Sequence, residues 1–135
     1  MIFRVLNGLM AAYFAYATVV QLNDPDWLRW AGMYAVCAVI CVQTVANKGM
    51  WRVPAIVAAI ALGWALVWLP RVLAHPPGVG ELTRYRMLNV AVEEAREFLG
   101  LLIAAVWMGL VALVRFVQLK RRRARRAQAA VGRVV

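Results

Sequence analysis

The sequence predicts an all-α membrane protein, a bundle of four transmembrane helices, and three observations support this. Of the 135 residues, 64% are hydrophobic and 16% are charged, which is more apolar surface than a water-soluble domain of this length can bury. The apolar residues fall in four runs of about 20 residues, the length of an α-helix that crosses a hydrocarbon core about 30 Å thick. These runs lack the alternation of apolar and polar residues that a transmembrane β-barrel requires.

The four runs predict helices at residues 2–22, 27–46, 53–74 and 88–119, which together form one domain over residues 1–119. The first run begins like a secretory signal, with Arg4 near its start and the small residues Ala15 and Ala17 further on. Its apolar stretch nevertheless continues to spanning length, so we expect it to be retained as a helix. Residues 120–135, KRRRARRAQAAVGRVV, form a basic tail that we expect to be disordered at its end.

Charge is distributed unevenly between the two sides that four threaded helices create. One side receives 11 of the 16 basic residues and no acidic residue, whereas the other receives all 6 acidic residues. Because Lys and Arg accumulate in cytoplasmic segments, we expect both termini and the loop 47–52 to be cytoplasmic in a bacterial inner membrane. The bases of the first side are Arg4, Lys48, Arg52, Arg115, Lys120, Arg121, Arg122, Arg123, Arg125, Arg126 and Arg133.

The net charge of +10 does not indicate binding to nucleic acid, because most of it lies beside the bilayer as a topological signal. The expected partners are the lipid bilayer, with anionic lipid headgroups at the basic tail, and a homo-oligomer or larger membrane complex. No cofactor is expected. Cys37 and Cys41 are too few to form a metal site and are expected to pack as small apolar side chains.

Small residues at helical spacing predict where helices approach one another. Ala55, Ala59 and Gly63 form a small-xxx-small ridge on the third helix, and Gly100 and Ala104 form a similar seam on the fourth. Such residues let two helix backbones come close, so we expect both sets to lie in helix–helix contacts.

Two polar motifs interrupt this apolar chain, QLNDPDW at residues 21–27 and EEAREFLG at residues 93–100. Both are expected outside the membrane on the same face. They can be purely structural, because Asp26 can cap the second helix and the glutamates favour the N-terminal end of the fourth. They can also form a ligand-engaging polar site. The candidate site residues are Gln21, Asn23, Asp24, Asp26, Glu93, Arg96 and Glu97.

Arg96 is the expected centre of this cluster. Its five donors can bridge Glu93 on the same helix and Asp24 or Asp26 from the other motif. Glu94 lies about 100° around the helix from Glu93 and is expected to contribute less. Oxygen ligands suit a hard divalent ion, but Arg96 competes with such an ion, so no metal is expected.

These residues also carry a resemblance. They are QLNDPD followed by Trp27, Tyr34 in the second helix, and the later EEAREFLGLLI with Glu93, Arg96, Glu97 and Gly100. In these residues the chain resembles the transmembrane protein 220 family. The resemblance covers the first to the fourth helix and leaves out the basic tail. It implies a small four- or multi-helix membrane protein and supports the choice of these residues, and it implies no particular reaction.

Three classes of function remain open. The first is a non-catalytic membrane protein that acts as a structural component, subunit or assembly partner. The second is a binding or transport module for an ion or amphiphile headgroup at the polar cluster. The third is a membrane enzyme that uses Glu93, Glu97 or Asp24 as general acid or base. Since the sequence shows no nucleophile with an adjacent base and no phosphate-binding loop, we favour the first class.

The predicted topology can be tested with reporter fusions placed after Asn47 and after Val135. Both reporters should read as cytoplasmic, because the segments beside them carry bases and no acids. A periplasmic signal from either fusion would contradict the topology and the shared outer position of the two polar motifs.

Overall fold

The computed structural model describes residues 1–23, 26–78 and 90–131. Within these residues the chain forms four α-helices, and no strand: α1 (Ile2–Val20), α2 (Trp27–Val45), α3 (Arg52–Ala74) and α4 (Val90–Val131). A short 3₁₀ turn, Gln21–Asn23, follows α1. All four helices are long and apolar enough to cross a membrane. The predicted fold class, four transmembrane helices, is confirmed, whereas the side on which the termini lie stays a prediction.

The fourth helix is longer than predicted. It contains 42 residues and is therefore about 63 Å long at a rise of about 1.5 Å per residue, twice the thickness of a hydrocarbon core. It does not end at residue 119 as predicted but continues through most of the basic tail. The reason is composition, because arginine, lysine, alanine and glutamine are all strong helix formers. Residues 132–135, the end of the tail, lie outside the described residues.

The helices pack as two hairpins. In the described part of the chain, α1 packs along α2 and α3 packs along α4, and close backbone contacts between the hairpins are made by α2 alone. The α2–α3 turn is fixed by two bonds that end α2, from Asn47 N–H to the Thr44 carbonyl and from Lys48 N–H to the Gln43 carbonyl. Asn47 adopts the left-handed conformation that this type of helix end requires.

Aromatic side chains fill the space between the helices. Phe14 of α1 stacks on Tyr34 of α2 with ring centroids 6.2 Å apart. Trp30 of α2 stacks on Trp64 of α3 with centroids 4.7 Å apart. Phe14 and Trp30 are fully buried. The stacked pair Phe14–Tyr34 thus joins α1 to α2 within the first hairpin, and the tryptophan pair joins one hairpin to the other.

The predicted ridge on α3 and the predicted seam on α4 differ in burial. On α4, Gly100 and Ala104 are buried inside the bundle. On α3, Ala55 is half-buried but Ala59 and Gly63 are exposed, and a Cβ added at Gly63 would meet no atom within 4 Å.

Among the described residues, Ala59 and Gly63 are therefore not covered by another helix of the chain, and the expectation that the ridge lies in a helix–helix contact stays a prediction. The buried small residues of α3 are instead Ala61 and Ala65. Gly63 lies two positions from each of them, about 200° around the helix, and so faces away from the bundle.

Gly100 of α4 lies against Tyr34 of α2, so the packing of these helices is sensitive to added volume at this position. A Cβ there would overlap the Oη atom of Tyr34 and lie 3.2 Å from its Cζ atom. Gly100→Ala should therefore lower the free energy of unfolding by about 1–3 kcal/mol, because Tyr34 is held by its own burial. Gly109→Ala is the matched control, since its Cβ would meet Ala58 at 4.0 Å, an ordinary contact.

Thermal unfolding in detergent measures both variants. Equal melting temperatures for Gly100→Ala and Gly109→Ala would show that Tyr34 moves aside without cost. Adding Tyr34→Phe to Gly100→Ala should recover part of the lost stability, because it removes the overlapping Oη atom.

Candidate functional site

The two ends of the bundle differ in charge. We call one the acidic end; it is formed by the α1–α2 turn, the last turn of α3 and the first two turns of α4. The other, the basic end, is formed by residues 1–4, the α2–α3 turn and α4 from Arg115 onward. Four of the 6 acidic residues of the sequence lie at the acidic end, Asp26, Glu93, Glu94 and Glu97, whereas Asp24 and Glu81 lie outside the described residues.

Asp26 stands at the N-cap position of α2, but its side chain makes no capping bond to the helix backbone. The prediction that its carboxylate caps α2 is therefore wrong. The carboxylate accepts a hydrogen bond from the indole N–H of Trp30 instead, at 3.1 Å. It also lies 3.8 Å from the exposed guanidinium of Arg29. Trp30 needs a polar partner for its indole N–H because its side chain is otherwise buried in the apolar core.

Glu94 has a larger role than its position around the helix suggested. Its carboxylate lies 3.5 Å from the guanidinium of Arg71, which joins α4 to α3 at the acidic end. Arg71 in turn lies over the ring of Trp68, 5.2 Å from its centroid. Trp64, Trp68 and Arg71 are spaced as one face of α3, but this spacing does not identify the helix that the face meets.

The remaining candidate residues are distributed as follows. Gln21 and Arg96 line one groove of about 300 Å³, together with three tyrosines, Tyr13, Tyr16 and Tyr34. Glu97 lies close enough to Tyr34 to act on it electrostatically. The structure therefore brings a residue of each polar motif to the same groove, between α1 and α4.

Other predicted contacts lie beyond the described part of the chain. Asp24 is outside it, and of Asn23 only the backbone is described, so the expected bridge from Arg96 to Asp24 stays a prediction. Glu93 is half-buried in the first turn of α4. Among the described residues, no group of three His, Cys, Asp or Glu side chains is placed to hold a metal ion.

Comparison with known proteins identifies the family. Residues 13–113 match the family model described as "Transmembrane family 220, helix". The chain belongs to transmembrane family 220. Transmembrane protein 220 of Xenopus laevis is 27% identical over 113 residues, which cover 79% of this chain and 56% of that protein. The chain thus matches little more than half the length of this curated relative. No solved structure matches the chain.

The family 220 match includes both polar motifs and every residue of the tyrosine-lined groove, and it ends before Arg115. The resemblance seen in the two motifs is confirmed. The basic end therefore has parts inside and outside the match. Its α2–α3 turn lies inside, whereas residues 1–4 and the part of α4 from Arg115 onward lie outside.

The bond between Asp26 and Trp30 can be tested by substitution. Asp26→Ala leaves the buried indole N–H without its acceptor and should lower the free energy of unfolding by about 1–3 kcal/mol. Asp26→Asn keeps an acceptor oxygen and should cost less. Arg29→Ala is the control, because it removes only an exposed ion pair, which contributes about 0–1 kcal/mol.

The melting temperatures of the three variants, measured in one detergent, show which substitution lowers stability most. If Arg29→Ala is as harmful as Asp26→Ala, the carboxylate acts through the arginine, and the indole bond has no separate role.

Proposed function

We propose that this family 220 chain is a non-catalytic component of a membrane assembly, which packs against a transmembrane helix of another copy or another protein. The contact surface is the ridge Ala55–Ala59–Gly63 on α3. The observation that carries the proposal is that Ala59 and Gly63 of this ridge are exposed and Ala55 is only half-buried, although small residues elsewhere on α3 and α4 are buried between helices.

The physical reason lies in how helices associate in lipid. Hydrocarbon chains are as apolar as leucine, so close packing rather than the hydrophobic effect drives association between helices. A small residue at every fourth position leaves a shallow groove along one face, which the backbone of a second helix fills better than lipid chains do. The ridge has this spacing, and Gly63 has open space before it.

The polar residues of the acidic end support a structural role rather than a ligand site. Asp26 bonds Trp30 and lies beside Arg29. Glu94 pairs with Arg71 from α3. The Glu94 contact thus joins α3 to α4, and the Asp26 contacts lie at the start of α2.

The proposed setting is a bacterial inner membrane with both termini in the cytoplasm. The distribution of charge supports it, since the segments of the basic end carry most of the arginines and lysines and contain no Asp or Glu.

Gly63→Leu tests the proposed contact, and Gly32→Leu on α2 is the matched control. Both glycines are exposed, and a Cβ at either would meet nothing within 4 Å in this chain. Neither substitution should therefore change the melting temperature of the isolated chain. Gly63→Leu should reduce the mass of the complex extracted from its native membrane, because the side chain fills the groove that receives the second helix.

Size-exclusion chromatography with light scattering measures the mass, and mass spectrometry identifies the proteins that copurify. A Gly63→Leu variant that keeps the mass and the companions of the wild type would contradict the proposal. Equal losses in both variants would show that added bulk on any lipid-facing surface is responsible.

A further inference from the structure

The basic end contains a cleft of about 560 Å³, to which separate parts of the chain contribute arginines. Arg4 comes from the first turn of α1, Arg52 from the start of α3, and Arg115, Arg122 and Arg123 from α4. These arginines are far apart in the sequence, and folding brings them around one opening. Arginines that served only to set the topology would need to lie on the cytoplasmic side, but they would not need to surround one cleft.

One face of α4 forms a wall of the cleft. Its lining residues follow helical spacing and are Arg115, Gln118, Leu119, Arg122 and Arg123. Lys120, Arg121, Arg125 and Arg126 belong to the same helix and carry the same charge, but they do not line the cleft. The tail is therefore divided into a face that turns towards α1 and the α2–α3 turn and a face that turns away from them.

Arg115 is fixed at the base of this wall. Its guanidinium donates to the carbonyl oxygen of Gly49 at 2.7 Å, to the carbonyl oxygen of Gln43 at 3.2 Å and to the hydroxyl of Thr44 at 3.3 Å. Gly49 has a φ of +91°, a conformation that favours glycine, in the turn that presents these acceptors. All three acceptors are neutral, so the bonds position the cation without neutralising its charge.

Among the described residues, no Asp or Glu side chain lines the cleft. The segments that form the basic end, residues 1–4, 43–52 and 115–131, contain no Asp or Glu. Arg122 lies close enough to Arg115 to repel it electrostatically. Clustering like charges at the edge of a low-dielectric region is unfavourable unless an anion joins them, and guanidinium groups are well matched to phosphate oxygens.

The surroundings of the cleft indicate that this anion belongs to a lipid. Trp51 also lines the cleft, packs edge-on against Phe116 with ring centroids 5.1 Å apart, and has the Arg52 guanidinium 5.9 Å from its ring centroid. Tryptophan beside arginine at the end of spanning helices is typical of the headgroup level of a bilayer. Met50 and Leu119 line the same opening and are exposed, so an acyl chain has apolar surface beside the charged groups.

We propose that this cleft binds the phosphate-bearing headgroup of an anionic phospholipid. Arg115 holds the α2–α3 turn in place, while Arg4, Arg52, Arg122 and Arg123 supply the charge that selects an anionic headgroup over a zwitterionic one. This proposal does not rest on the helix contact proposed for α3, because the arginines of the cleft carry the one and the small residues of the ridge carry the other.

The test compares two double variants of equal charge in the full chain. Arg122→Gln with Arg123→Gln removes two cations that line the cleft, and Lys120→Gln with Arg121→Gln removes two that do not. The delipidated protein is titrated with phosphatidylglycerol or phosphatidylcholine in detergent micelles, and bound lipid is counted by native mass spectrometry. Inorganic phosphate is added in a separate arm.

The wild type and the Lys120/Arg121 variant should retain phosphatidylglycerol in preference to phosphatidylcholine. The Arg122/Arg123 variant should bind phosphatidylglycerol at least about tenfold more weakly, because it loses two cations that contact the phosphate. All four positions are exposed, and unchanged melting temperatures in phosphatidylcholine would confirm that the variants are folded.

Three results would overturn the proposal. Equal loss in both double variants would mean that the tail attracts anionic lipid only as a diffuse charge. Equal retention of the two lipids by the wild type would mean that the headgroup charge is not recognised. Displacement of the lipid by millimolar inorganic phosphate would assign the cleft to the free anion instead.

Discussion

Trp30 of α2 stacks on Trp64 of α3 with ring centroids 4.7 Å apart, and this contact joins two hairpins whose backbones, in the described residues, approach each other only along α2. In lipid, the association of helices depends on close packing and on satisfied polar groups. A buried tryptophan supplies a large packing surface but also an indole N–H that lipid cannot satisfy. Asp26 resolves this conflict by accepting that N–H at 3.1 Å. The polar septet therefore interrupts the apolar sequence in part because the tryptophan that joins the hairpins needs a carboxylate beside it.

The existence and the approximate limits of the helices could be predicted because they depend on one quantity, the length of an apolar run relative to the thickness of the membrane. The rotation of each helix could not. A helix that is apolar on all sides carries no periodic signal for its buried face, so the ridge containing Ala59 and Gly63 was indistinguishable from the buried pair Ala61 and Ala65. For the same reason the ion pair between Arg71 and Glu94 could not be predicted, because it depends on how α3 and α4 are rotated about their axes.

The two ends of the bundle differ in whether their charged side chains have partners of opposite charge. At the acidic end, carboxylates meet cations or indole donors from the same chain, as in the pairs of Asp26 with Trp30 and Glu94 with Arg71. At the basic end, Arg115 meets only neutral acceptors, and the arginines around it have no acidic residue in their segments. An end that balances its own charge needs nothing further for stability. An end that gathers cations without acids would be stabilised by an anion, and the anionic phospholipid proposed for the cleft would supply it.

The two proposed interactions meet on α3. Arg52, Ala55, Ala59 and Gly63 follow one another at intervals of three, four and four residues, so they lie along one stripe of this helix. The stripe begins with an arginine that lines the basic cleft and continues into the membrane as the exposed small-residue ridge. A lipid whose headgroup is held at Arg52 would extend its acyl chains along the groove that a second helix would occupy. Lipid and helix would then be neighbours or competitors on this face, and the affinity for one would depend on the presence of the other.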